Sequence, residues 1–159
     1  MKISVPSIFT MLILMAPTVI ANPLSLSEGE VQGYLSGKGM GMAKVAELNG
    51  YPGPAHVLEL AGPLQLTASQ KEATQALFDT MLSQAVELGK NLVQMEQELD
   101  QLFASRQVTE DKLAALLTKI GDCNARIRQT HIEAHLAQRS LLTEDQVARY
   151  RTLRAHHHH

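Results

Sequence analysis

The feature that most constrains this chain is a pair of long, proline-free stretches in which apolar residues recur alternately four and three positions apart. In the first, Met81, Ala85, Leu88, Leu92, Met95, Leu99 and Leu102 keep that rhythm. In the second, Leu113, Leu116, Ile120, Cys123, Ile127, Thr130, Ala134, Ala137 and Leu141 keep it. The spacing puts each set on one stripe of an α-helix, and a stripe leaves water only by meeting a partner. Each stretch predicts a rod about 50 Å long at 1.5 Å per residue. The break between them, Ala104 to Val108, is short and polar, so the rods are expected to lie antiparallel as neighbours. Gly89 and Gly121 are the weak points, each costing about 1 kcal/mol relative to Ala. Aromatic residues make up 4% of the chain and Trp is absent, which suits helical seams better than a β-sandwich. The expected fold class is all-α: a long helical hairpin with short flanking helices.

The starts of these rods are written locally. Thr67 can accept from the amide of Gln70 while the Gln70 side chain returns to the amide of Thr67, a capping box that opens the first rod. Thr109, followed by Glu110 and Asp111, opens the second with a cap and acids in its first turn. Beyond its end, Leu142-Thr143-Glu144-Asp145-Gln146 repeats the L-T-x-x-Q pattern of Leu66-Thr67-Ala68-Ser69-Gln70. In this second copy Leu142 and Val147 can form a hydrophobic staple, whereas Lys71 stands at the equivalent place in the first. One copy opens the hairpin and the other closes it, so folding brings both to the same end.

Four segments follow. Met1 and Lys2 precede an uncharged run, Ile3 to Ile20, and a small residue, Ala21, so residues 1–21 read as a secretory signal peptide, with an uncleaved membrane anchor as the alternative. Residues 22–65 form a Gly- and Pro-interrupted arm with short helices: a capping box at Ser27 to Glu30, a helical piece from Met42 to Leu48, and a turn led by Pro54. Residues 66–155 form the hairpin domain. Residues 156–159 are a histidine run, a native tail or a purification tag.

Removing Lys2 from the 14 basic residues leaves 13 against 16 acidic ones, so nothing suggests a nucleic-acid partner, which calls for a basic patch. A single cysteine, Cys123, cannot staple the fold; it is a buried apolar residue, an intermolecular thiol or a soft ligand.

Two L-T-x-x-Q copies (Leu66, Thr67 and Gln70; Leu142, Thr143 and Gln146) bracketing a helical hairpin behind a signal peptide resemble the Spy/CpxP family of periplasmic proteins, which includes the CnrX-type heavy-metal sensors. The resemblance covers roughly Gly53 to Arg154. It implies a periplasmic location and a four-helix protomer pairing as a homodimer. It also implies a role in envelope stress or heavy-metal response, through binding of unfolded clients, an envelope signalling protein or transition metal ions. Chaperone members resemble a basic cradle, and this chain departs from them in its acidic balance.

Three histidines lie outside the terminal run: His56, His131 and His135. His131 and His135 are one helical turn apart, so their imidazoles share a face and suit a divalent Zn, Ni, Co or Cu ion. The metal-sensing relatives look similar here. Glu133 points away from both. A third ligand is expected from His56 first and Asp79 second, Asp79 because closing the hairpin sets it level with His135. The alternative reading leaves the pair on a solvated face, with His131 flanking the seam beside Ile127 and Ala134. Met40 and Met42 around Gly41 suggest gap-filling before a soft copper site. Ile132 stands where the H-E-x-x-H signature needs its glutamate, and neither a nucleophile with its base nor a phosphate-binding glycine loop can be assembled. The expectation is a binding protein, not an enzyme, which requires no cofactor but can take a transition metal ion.

Overall fold

In the computed structural model, which describes residues 25–155, both stripes form helices. Among the described residues there are six: α1 (Glu28–Leu35), α2 (Lys44–Leu48), α3 (Pro54–Glu59), α4 (Ala68–Ala104), α5 (Glu110–Leu141) and α6 (Glu144–Ala155). All the regular structure there is helical. Helices α4 and α5, of 37 and 32 residues, pack along each other as the hairpin. Ser105 caps α4, Arg106 turns the chain at φ 56°, and the Thr109 hydroxyl accepts from the Lys112 amide to start α5. No helix among the described residues is long and apolar enough to cross a membrane. The expected signal segment, 1–21, and the run 156–159 lie outside the described residues.

The seam is a cluster of Leu88, Leu92, Leu116, Ile120, Cys123 and Ile127, with Met95, Leu99 and Leu102 half-buried against it toward the tip. Cys123 is buried there, its thiol donating to the Leu88 carbonyl at 3.4 Å. Beyond Ile127 the expected stripe is corrected. His131 and Gln138 are buried where Thr130 and Ala137 were expected; Thr130 is half-buried and Ala137 exposed. A straight helix has 3.6 residues per turn and drifts off a strict 3.5 repeat. The steps Cys123 to Ile127 to His131, two fours in succession, restore the face. Gln138 then donates to the Thr74 hydroxyl at 3.2 Å between side chains that are both 0% exposed.

Both L-T-x-x-Q boxes form. The Thr67 amide donates to Gln70 Oε1 and the Thr143 amide to Gln146 Oε1, each at 3.0 Å, and each Thr hydroxyl accepts in return. The two glutamines also hold each other. Gln70 Nε2 donates to Gln146 Oε1 at 2.8 Å and Gln146 Nε2 to Gln70 Oε1 at 3.0 Å. Their remaining N–H groups serve the Leu141 and Leu64 carbonyls. Every donor and acceptor of both amides is engaged, which a carboxylate, lacking donors, could not achieve. The expected staple forms beside this clasp: Leu142 and Val147 are buried with Tyr150, Val57 and Leu64.

The Gly- and Pro-interrupted arm before the hairpin packs into the core. Val57 and Leu64 are 0% and 1% exposed. Helix α1 lies on α4, and the Tyr34 backbone crosses it at Gly89, where a β-carbon would stand 2.2 Å from the Tyr34 carbonyl oxygen. Gly89 is therefore a crossing point, whereas Gly121 has open space around it.

Candidate functional site

The short helices set a cleft against the middle of α5. Its wall is the pair expected from spacing. His131 lies in the seam, 4% exposed, and His135, one turn on, is half-buried. The α2–α3 loop closes over His135 because residue 53 is glycine: a β-carbon there would lie 2.8 Å from His135 Nε2. The His135 Nδ1–H donates to the Tyr51 carbonyl at 2.8 Å, which orients the ring with Nε2 away from that contact.

Opposite stands Glu47, on α2. Its Oε2 accepts from the Gly53 amide at 3.1 Å and lies 3.4 Å from His135 Nδ1. Its Oε1 accepts from His56 Nδ1 at 3.1 Å and from the Tyr150 hydroxyl on α6, with Arg154 Nε 3.8 Å away. One carboxylate thus joins α2, α3, α5 and α6. Burial alone would raise its pKa, but the hydrogen bonds from His56 and Tyr150 and the charge of the two imidazoles outweigh it and hold Glu47 below the usual carboxylate value. The Tyr150 phenol is pushed far up, first by burial and then by this carboxylate. His131 is pushed below the usual imidazole value by burial and, second, by the charge of His135.

These groups border a cavity of about 450 Å³ lined by Met40, Lys44, Glu47, His56, His131 and His135. A second hollow of about 330 Å³, on whose wall Phe78, Met81 and Leu82 stand, shares all three histidines. His131 Nε2 is buried without a hydrogen-bond partner, and so is Arg154 Nε, on another residue of the first cavity.

The structure brings His56, His131 and His135 to one cleft; His131 is not on a solvated face but lies in the seam with Ile127 and Ala134, where the alternative reading set it. Asp79 is not brought there: it is exposed, receives Gln75 Nε2 at 2.9 Å and borders a separate hollow with Val86 and Lys90. Glu133 points outward, as expected, and accepts from Gln129. Met42 packs on the seam, and Met40 lies over Gly33, where a β-carbon would meet its sulfur. Glu47, Tyr150 and Arg154 were not singled out from sequence; a lone glutamate in a five-residue helix and two residues of an ordinary amphipathic end carry no local signal. Among the described residues, no three His, Cys, Asp or Glu side chains stand in the geometry that holds a metal ion. No family model matches the sequence, and neither a curated protein nor a solved structure does.

Proposed function

We propose that this chain is an exported, non-catalytic binding protein of the Spy/CpxP kind that serves the response to a transition metal ion, taken up in the Glu47–His56–His131–His135 cleft. The observation that carries this is the buried His131 ring, whose Nε2 has no partner although it shares a cavity with two further imidazoles and a carboxylate. A buried polar nitrogen left unpaired costs free energy that a ligand would recover. The donor types, imidazole nitrogens with one carboxylate oxygen, suit Zn²⁺, Ni²⁺, Co²⁺ or Cu²⁺, whereas their present placement holds no three of them about one point. The Tyr51 carbonyl on His135 Nδ1–H is the second contact that orients such ligands. The four side chains reach a common centre only by rotating out of their present hydrogen bonds.

The test is calorimetric titration of each ion into protein lacking His156 to His159. The His131→Ala/His135→Ala variant is expected to lose affinity by at least about tenfold, as removal of ligands or their supports does. Equal affinities in the two proteins would refute the site.

A second reading, binding of unfolded clients or of a second copy along the hairpin, is favoured by the exposed Phe103, Leu117 and Leu136. It expects suppression of client aggregation without ATP. A stoichiometric excess that leaves aggregation unchanged removes the client reading, and a monomer at all concentrations removes the homodimer.

A further inference from the structure

We infer that the cavity between α2, α5 and the end of α6 is a site for a small organic monoanion, a carboxylate with an apolar body, whose acid group pairs with Arg154. The inference goes beyond the metal reading and does not rest on it. Arg154 and Lys44, which would recognise the anion, are no metal ligands, and they act from where they stand.

The first support is unspent hydrogen bonding. Arg154 Nε and His131 Nε2, on two residues of this one cavity, are buried without a hydrogen-bond partner among the described residues. Each forfeits a hydrogen bond that water gives it in the unfolded chain. The anion beside Arg154, Glu47 Oε1, lies 3.8 Å from Nε, too far for a hydrogen bond. That carboxylate already receives the Gly53 amide, His56 Nδ1 and the Tyr150 hydroxyl. A guanidinium, whose planar fork suits a carboxylate, therefore borders a cavity whose own carboxylate serves other donors.

Charge selects the ligand further. Lys44 and Arg154 line the cavity against one carboxylate, Glu47, so, leaving the imidazoles aside, one positive charge is in excess. A monoanion balances it. An ammonium group would meet two cations and a carboxylate with few lone pairs left. A phosphate dianion would overshoot the balance beside Glu47.

The remaining wall asks for an apolar body. Ala43 is buried there, and Met40 and Leu48 are 42% and 73% exposed. A hydrocarbon seated against them takes their surface out of water. The volume, about 450 Å³, falls among ordinary small-molecule sites of about 300–1,000 Å³, and far exceeds the roughly 30 Å³ share of one water. His131 Nε2 donates or accepts according to its tautomer, so it accommodates an oxygen of the ligand in either role.

The experiment uses the full mature chain without His156 to His159, with a chelator present so that no metal ion contributes. The probe is 3-phenylpropanoate. 3-Phenylpropan-1-ol and 3-phenylpropan-1-amine share its body without the negative charge, and inorganic phosphate has negative charge without the body. Calorimetry reads affinity, and amide chemical shifts read the place of binding. The carboxylate is expected to bind at least about tenfold more tightly than any of the three, the worth of a charge-assisted hydrogen bond, with shifts concentrated in residues 40–48 and 151–155. Arg154→Gln is expected to remove that advantage and leave the affinity for the alcohol unchanged. Lys44→Gln, at an exposed position, should weaken the carboxylate by less than about fivefold.

Equal binding of carboxylate, alcohol and amine would reduce the site to an apolar crevice and overturn the inference. Absence of binding at millimolar probe, or shifts confined to other residues, overturns it as well. Should Arg154→Gln fail to fold, the comparison of the four probes on the unmodified sequence still decides. Metal titration is read separately: an ion that binds where the carboxylate does not leaves the metal reading standing alone, and the reverse result leaves this one.

Discussion

Replacing Gly89 and Gly121 separately by alanine separates helix propensity from packing within one hairpin. Both glycines sit inside long helices, and each substitution should gain about 1 kcal/mol from propensity alone. At Gly121 nothing lies within 4 Å of the new β-carbon, so the whole gain is expected to appear. At Gly89 the β-carbon would meet the Tyr34 carbonyl oxygen at 2.2 Å and its carbonyl carbon at 2.7 Å. The first contact is more than about 1 Å inside ordinary van der Waals separation. The obstacle is backbone, which has no rotamer to change, so α1 must lift from α4. Overpacking of this kind costs about 1–3 kcal/mol, and losing part of the α1 contact adds to it. Gly89→Ala is therefore expected to be less stable than the parent by about 1–2 kcal/mol, and the two variants should differ by about 2–3 kcal/mol. For a chain of this size that is a separation in Tm on the order of 10 °C. Urea unfolding followed by far-ultraviolet circular dichroism measures it. Stabilisation of both variants by the same amount would refute the crossing of α1 over α4 at this glycine.

Other expectations follow from the clasp and the buried imidazole. Gln70→Ala and Gln146→Ala should each cost about 2 kcal/mol, because each removes several part-buried hydrogen bonds. The double variant should cost less than their sum by about 1 kcal/mol, since each deletion already orphans the other amide; additive losses in a double-mutant cycle would contradict the reciprocal pair. His131 has its pKa lowered in the folded state, so below the ordinary imidazole value of about 6.5 the unfolded chain takes up the proton first. Stability is then expected to fall as pH drops from about 6.5, by at most about 1.4 kcal/mol per unit. Glu47, also lowered, adds its loss only as pH falls through and below the ordinary carboxylate value of about 4.3. His131→Leu should abolish the upper phase and leave the lower one, as denaturant titrations at a series of pH values would show.

What the sequence made legible was periodic or local. The seams from Met81 to Leu92 and from Leu116 to Ile127 follow from spacing because burial acts on every turn alike. The caps at Ser27, Thr67 and Thr143 follow from residues three apart. What could not be read depends on closure. The drift that buries His131 and Gln138 accumulates over several turns and is invisible in any single heptad. Gln70 and Gln146 each satisfy a local rule that a glutamate would satisfy as well; only their meeting makes the amide necessary. Glu47 lies 84 positions before His131 in a helix of five residues, and no spacing rule links them. The segment around Val57 and Leu64 looked too broken by glycine and proline to join the core. Its apolar residues are few, but two of them, Val57 and Leu64, are almost completely enclosed.

The paired glutamines also bear on how the molecule survives chemical stress. They join positions 76 residues apart, a junction that many exported domains make with a disulfide. A covalent bridge restrains the denatured chain, and it fails when reduced or mispaired. An amide pair leaves the denatured chain unrestrained and has no oxidation state. The hairpin can therefore open and close again without an oxidant, an isomerase or a correct partner sulfur, and its integrity is indifferent to thiols in the surrounding medium.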